Sequence, residues 1–482
     1  MWKFLFSLIQ LLMVSLMLRA EPPVLWPQFR GAGGSGIAER QTPPLEIGPD
    51  KNVKWKVPCP LGYSSPMLVS DQLILTAYDS GKLFTISYDR QSGKERWRAE
   101  APAKAIEAHD KTEGSPANST SATDGTHLVS YFGSCGLFCY DLAGKELWRY
   151  ELPCVTTMLD FGTGVSPILA DGLVILVRDE TVHPRILAID ILTGQLKWER
   201  KRESISAFCT PVIADTPTGK QVIAAGFGRM IAYDLKTGEE KWTVNGMPAA
   251  ACTTPIVVGQ TLFFAGWSPG EDMKLPNFEA MLKMAGDEKL GYLTKEGLSK
   301  TRMKGSFESQ DSNHDGKITK DEWEKTVQFI SASRNSAFAL KLGGSGDVTQ
   351  SHMIWKKTRG LPYVPTGIVY QGQFVLVKDG GIVTAYDANN GEELYVRRLG
   401  VTTPYYASPV AANGFIYFTS LNDGIVTVMK AGSRSPEIVV KNPKLGEKVA
   451  ATPAIAENTI YLRTARHLYA FAEQASGSKG KD

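Results

Sequence analysis

Twelve residues, DSNHDGKITKDE (Asp311–Glu322), carry the most specific chemical pattern in the chain. They match D-x-[DN]-x-[DN]-G-x5-E at every position, the spacing of a calcium loop. Calcium is a hard cation that takes about six to eight oxygen ligands. Asp311, Asn313 and Asp315 offer side-chain oxygens at alternate positions of a tight loop, and Gly316 permits the bend. Lys317 would contribute its backbone carbonyl, Thr319 would act directly or through a water, and Glu322 would close the site with two oxygens. Ile318 is apolar where paired loops form a short β contact, and a flanking helix is expected from Lys320 to Ile330. A second copy is degenerate. GYLTKEGL (Gly291–Leu298) aligns with GKITKDEW (Gly316–Trp323) at an offset of 25, which sets Gly286, Glu288, Leu290 and Gly297 at ligand positions. One bound calcium is therefore expected, with the second loop as a structural partner.

Other chemistry is sparse. His109 and His127 are not at ligand spacing, and His314 stands at a non-ligand position of the loop. His183, beside Asp179, Glu180 and Arg185, reads as part of a solvated turn. There is no serine-hydrolase elbow, phosphate loop or H-E-x-x-H pattern. The six cysteines, Cys59, Cys135, Cys139, Cys154, Cys209 and Cys252, include no C-x-x-C and no C-x-x-C-H. They read as buried small hydrophobes, and pairings, if any, cannot be deduced from spacing.

These residues need a scaffold, and a repeated phrase supplies it. YDRQSGKERW (Tyr88–Trp97), YDLAGKELW (Tyr140–Trp148), IDILTGQLKW (Ile189–Trp198) and YDLKTGEEKW (Tyr233–Trp242) recur, with a later copy, YDANNGEELY (Tyr386–Tyr395). Asp starts a turn by accepting local N–H bonds. Gly closes the hairpin with a positive φ, and the Trp on the next strand can cover a seam between sheets. Similar openings, such as SSPMLVSD, VSPILADG, TTPIVVGQ, ASPVAANG and ATPAIAEN, precede two further strands in each unit. Four short strands at a period of about 40–50 residues predict a β-propeller. The fold expected is all-β, with eight four-stranded antiparallel blades. The eighth unit, from Ala451, holds only three strands, and VKWKV (Val53–Val57) is expected to complete it and remove the free edge.

Trp242 and Trp355 stand 113 residues apart, so the fifth blade must carry an insertion. TLFFAGW (Thr261–Trp267) reads as its second strand and SAFALKL (Ser336–Leu342) as its third, with the helical, calcium-loop segment between them. The insertion is expected on the face where blades begin. There Tyr63, Phe161, Phe208, Tyr363, Tyr405 and Tyr406 stand just before inner strands. Aromatics at a channel mouth could stack on a sugar, a quinone or a peptide; packing between blades is the plainer role for any single one.

The chain has 482 residues, 43% hydrophobic and 21% charged, which is enough apolar content for a large core and too much for disorder. A net charge of +3 gives no electrostatic case for nucleic acid. Residues 1–20 combine Lys3, an apolar run from Phe4 to Leu18 and Arg19-Ala20, which reads as a secretory signal, too short for a comfortable membrane span. The expected organisation is a signal peptide (1–20), an N-terminal extension (21–50), a first propeller part (51–267) and an EF-hand-like helical insertion (268–335). A second propeller part (336–472) and a flexible tail (473–482) follow. The protein is expected to be secreted or periplasmic, with no stable membrane span after cleavage.

The blade phrase, with WPQFRGAGGSGIA (Trp26–Ala38), resembles the PQQ-like β-propeller repeat proteins, which include quinoprotein dehydrogenases and the BamB-type assembly factor; the inserted loop resembles an EF-hand. The resemblance covers about Trp26 to Phe471 outside the insertion. The dehydrogenase members imply a quinone, a vicinal disulfide and a calcium beside it, but no two cysteines are adjacent here. PQQ thus has no specific residue behind it, and no catalytic residue carries over. The assembly-factor members are lipoproteins, and no cysteine follows the apolar run. The expectation is a non-catalytic binding or assembly scaffold for a protein or polysaccharide partner, with one calcium. The alternative is a PQQ-dependent alcohol or sugar oxidoreductase.

Overall fold

Each repeated phrase folds as a turn held by its own aspartate. In a computed structural model, which describes residues 24–473 apart from 111, 113, 158–159, 205–206, 270–273, 302, 304–305 and 312–314, Asp190 Oδ1 accepts the N–H groups of Leu192 and Thr193 at 3.0 Å. Asp234 Oδ1 does the same for Lys236 and Thr237. The expected leader, Asn313, His314 and nearly all of the expected tail lie outside the described residues. The glycine of the phrase takes a φ of +70° at Gly194 and +69° at Gly238. Its bare backbone receives the tryptophan of the preceding blade: a Cβ on Gly194 would lie 2.8 Å from the Trp148 ring, and one on Gly238 2.5 Å from Trp198. The indole N–H then donates across the seam, from Trp148 to the Ile191 carbonyl (2.7 Å) and from Trp198 to that of Leu235 (3.0 Å). Trp55, Trp97 and Trp355 repeat this bond to Arg90, Leu142 and Ala388. The sequence phrase is therefore a joint between neighbours as well as a turn. Trp242 departs from the rule and donates to Gln221 of its own blade, because the next blade lacks the phrase.

Among the described residues eight sheets result, each with four antiparallel blade strands. Inner strands such as Met67–Val69 are wholly buried, while outer strands such as Glu146–Glu151 alternate between half-buried and exposed residues, as expected for one covered and one wet edge of a blade. Two sheets gain a fifth strand that the repeat did not announce. Val24–Trp26 pairs inside the first blade against Val69 and Leu68, and Gly346–Asp347 runs parallel outside the fourth. The ring closes as the sequence predicts. Val53–Pro58 lies antiparallel to His467–Phe471, with Trp55 opposite Ala470, and so becomes the outer strand of the eighth blade.

The N-terminal extension is a structural part of the ring. From Trp26 to Ala38 it crosses the central channel. The Pro27 carbonyl accepts from Thr123 N–H, Gly34 lies against Val212, and Gly36 and Ala38 exchange backbone bonds with Ala411. Arg30, fully buried, fixes the crossing. Its guanidinium donates to the carbonyls of Gly34 (3.0 Å), Ser35 (3.1 Å), Gly367 (2.8 Å), Pro409 (3.3 Å) and Thr366 (3.4 Å). Burial pushes its pKa down to about 9, which leaves the charge in place at neutral pH. Gly36 is required here, since a Cβ would sit 2.8 Å from the Arg30 guanidinium.

In the fifth blade Thr261–Gly266 and Ser336–Lys341 pair as second and third strands. Between them stand four helices: α1 (Phe278–Ala285), α2 (Lys295–Ser299), α3 (Phe307–Gln310) and α4 (Lys320–Ala332). They share a small core of their own, built on Phe278, Met281, Leu293, Leu298, Ile318 and Trp323. The segment is tied to the blade at its stem, where the Asn335 amide bonds both the N–H and the carbonyl of Ser268. No helix among the described residues is long and apolar enough to cross a membrane.

Candidate functional site

The residues just before the inner strands converge on one end of the channel, and they do so through a chain of hydroxyls. The N–H of Ser65 donates to Thr120 Oγ1 (2.9 Å), that of Thr120 to Ser166 Oγ (2.9 Å) and that of Ser166 to Thr210 Oγ1 (3.1 Å). The series resumes from Thr254 N–H to Thr366 Oγ1 (2.9 Å), Thr366 to Ser408 (3.0 Å), Ser408 to Thr452 (3.0 Å) and Thr452 back to Ser65 (3.0 Å). Seven blades contribute a hydroxyl acceptor to the series, and the fifth contributes the Thr254 N–H. The signal was present in the sequence as a Ser or Thr, most often followed by Pro, in each blade opening. A single such residue is unremarkable, and the circular bonding appears only once the ring is closed.

Above the hydroxyls stand the aromatics. A cavity of about 180 Å³ is lined by Tyr63, Phe161, Phe208, Tyr363 and Tyr406, all half-buried, together with seven of the ring hydroxyls, Asn118 and Thr163. Phe29 of the crossing segment also lines it, so the stopper beneath makes the channel a blind funnel. Five of the six aromatics expected at a channel mouth thus line one cavity. Tyr405 does not. It is fully buried in the seam core beside Val377, Val383 and Phe418. Adjacent residues of an extended segment point to opposite sides, and Tyr406 takes the channel side. Phe161 and Phe208 meet edge to face, with centroids 6.3 Å apart. At the rim Trp267, 41% exposed, stands edge-on to Tyr363 at 5.7 Å. Trp267 precedes the helical insertion directly, and Arg334, at its far end, bonds the Met247 carbonyl, so the insertion rises beside the funnel.

None of the described lining residues is an Asp, Glu, His, Lys or Arg. Lys448 stands nearby, but it lies over the Tyr63 ring at 5.1 Å and also donates to the Thr112 carbonyl. The ionisable cluster closest to the funnel is buried behind it. Glu107 accepts from the N–H (3.2 Å) and hydroxyl (2.7 Å) of Thr163, and burial pushes its carboxyl up to about 7. Arg202 holds Asp179 in a fully buried pair at 2.7 and 3.1 Å, and Arg178 faces Glu180 at 3.1 Å. His183 lies exposed on a bend beside Glu180. Among the described residues, which include all six cysteines, no disulfide forms.

The expected calcium loop sits between α3 and α4. Asp311 is buried, and its carboxylate oxygens accept from the N–H groups of Asp315 (3.1 Å) and Gly316 (2.9 Å), which curl the loop around it. Gly316 has a φ of +81°. Glu322 Oε2 accepts from the N–H (2.9 Å) and hydroxyl (2.8 Å) of Thr319 and caps α4. Ile318 and Leu293 exchange both backbone bonds at 3.0 Å, the short β contact expected between paired loops at an offset of 25. The second loop closes on itself. The Asp287 carboxylate accepts from the N–H (2.7 Å) and hydroxyl of Thr294, and it fills the space beside Gly297, where a Cβ would lie 2.1 Å from Asp287 Oδ2. The donor set of the first loop, carboxylates with a backbone carbonyl, suits a hard cation.

Residues 83–267 match a family model. Its description is outer membrane protein assembly factor BamB. The fold has wide company. BamB from Moraxella catarrhalis superposes with a TM-score of 0.53 at 14% identity, over 87% of this chain and 98% of that one. The computationally designed Ika8 protein gives 0.53 at 10%, over 91% and 99%. A europium-containing methanol dehydrogenase gives 0.55 at 10%, over 94% and 98%. No curated protein matches. At such identities the likeness establishes the propeller alone. An assembly factor, a dehydrogenase and a designed ring sharing one architecture show how little it says about function.

Proposed function

We propose that the chain is an exported, non-catalytic binding or assembly scaffold for a protein or polymer partner, with a helical module ordered by one calcium beside the binding mouth. The observation that carries this reading is the blind funnel. Five half-buried aromatic rings and a floor of hydroxyls form a surface made for holding a ligand. General acid–base work most often uses His, Asp, Glu or Lys within reach of the substrate, and the described lining residues include none of these four. The matched family description, an assembly factor, agrees with a scaffold.

The quinoprotein reading fits less well. PQQ is a tricarboxylic acid, and buried carboxylates need cationic or hydrogen-bonding partners of matching strength. The described lining residues offer hydroxyls and rings but no cation. No step is assigned to a quinone on these residues. Adding PQQ with calcium, recording a quinone spectrum and assaying alcohols and sugars with an artificial electron acceptor tests the point. Bound quinone with turnover overturns the scaffold reading.

Calcium would be held by the side chains of Asp311, Asn313 and Asp315, the Lys317 carbonyl, Thr319 or its water, and Glu322. It would supply fixed positive charge that draws the loop tight and stabilises the helices by binding the folded form. Buried Trp323, whose indole donates to the Pro276 carbonyl, reports on that core. Calcium titration should change its fluorescence with a stoichiometry of about one, and Asp311→Ala with Glu322→Ala should abolish uptake. Partner capture from the exporting compartment, with and without calcium, then asks whether the module gates the mouth.

A further inference from the structure

We infer that the funnel receives the end of a neutral carbohydrate chain. This rests on the scaffold reading and narrows its polymer partner to a glycan.

The ring hydroxyls set the first requirement. Each of the seven ring hydroxyls that line the cavity already accepts a backbone N–H from the neighbouring blade, which leaves it its proton and one further lone pair. A ligand with groups that both accept and donate satisfies them. Asn118 sets the second. Its amide nitrogen donates to the Thr163 carbonyl at 3.1 Å, while its oxygen is buried without a partner among the described residues. A ligand must bring a donor there as well, because a dry polar atom costs about 1–3 kcal/mol. The alcohol group is both donor and acceptor on one atom.

The walls set the third requirement. Half-buried rings ask for an apolar face, and the C–H face of a pyranose is flat and apolar while its edge is hydroxylated. Charge sets the fourth. An anion would meet no cation among the described lining residues and an ammonium no carboxylate, so either would be desolvated without compensation. An apolar peptide side chain would satisfy the rings but leave the hydroxyl floor and Asn118 dry. Size sets the last. A cavity of about 180 Å³ has room for a sugar ring. The next residues of a chain would leave past Trp267, whose exposed face at the rim offers a second platform.

The test uses the full chain and calorimetric titration with cellopentaose, maltopentaose, laminaripentaose and chitopentaose. Glucose separates a free sugar from a chain end, and a pentagalacturonate and an apolar pentapeptide serve as the contrasting probes. At least one neutral oligosaccharide should bind saturably and more tightly than glucose. Phe161→Leu and Asn118→Ala should each weaken it at least about tenfold while leaving the melting temperature near that of the parent. Trp267→Ala should weaken the oligosaccharide and leave glucose unchanged. Three results overturn the inference: no neutral sugar binds, the charged or peptide probe binds in its place, or sugar binding ignores Phe161→Leu and Asn118→Ala. Partner capture without sugar binding sinks this inference and leaves the scaffold; quinone turnover sinks the scaffold itself.

Discussion

Gly238 and Trp198 show how one residue's missing side chain can hold two sheets together. Gly238→Ala places a methyl 2.5 Å from the indole at a φ of +69°. Left-handed strain and overpacking then act together, and each costs about 1–2 kcal/mol. A loss of about 2 kcal/mol or more is expected in chemical denaturation, against about 1 kcal/mol for Gly172→Ala, whose φ of +77° brings the strain alone because its Cβ would meet nothing within 4 Å. Glu107 makes a different point. Burial raises its carboxyl from 4.5 to about 7. Tyr131, Cys135, Cys154 and Arg178 surround it, and of these the Arg178 charge pulls the other way. The folded chain therefore holds a proton that the unfolded chain releases. Stability from this group is full below about pH 4.5 and falls as pH rises toward about 7. Glu107→Gln should flatten the melting temperature against pH in that window. A slope equal to the parent's would mean that another group sets it.

Among elements, the insertion is the most self-contained. Its core, its caps and the Leu293–Ile318 pairing are internal, and the stem reaches the blade through Ser268 and Asn335. Calcium should therefore slow proteolysis within 268–335 and leave the blades' cleavage pattern unchanged; equal protection of both would tie the module to the ring more tightly than its stem suggests. The pairing of Leu293 with Ile318 was legible in the sequence, because the offset of 25 aligns two runs of consecutive positions. The closure by Asp287 was not, since that carboxylate lies outside the aligned ligand positions and takes its role only through Thr294. The aromatic mouth was legible as a set of positions, while the sidedness that buries Tyr405 and presents Tyr406 needed the backbone. The hydroxyl ring was visible only as a recurring Ser or Thr, and its purpose lies in bonds between residues up to 387 positions apart.

At the scale of the whole molecule, the blades are a sequence-local repeat, which is why their number and the missing strand could be read in advance. The seal is not local. Val53–Pro58 supplies the edge of the last blade, and Ala472 N–H bonds the Asn52 carbonyl. A chain lacking residues 1–58 should lose cooperative melting and aggregate through the exposed edge of His467–Phe471. Re-attaching residues 51–58 behind Glu473 through a short hairpin turn should restore most of it; failure would assign the defect to the lost crossing segment.

That crossing segment has a consequence for biosynthesis. Trp26–Ala38 is made long before its partners around Thr366, Pro409 and Ala411, the Arg30 bonds alone spanning 336 and 379 positions. Those bonds must wait for the sixth and seventh blades. A product cut short before Thr366 can neither anchor Arg30 across its bore nor complete its final sheet.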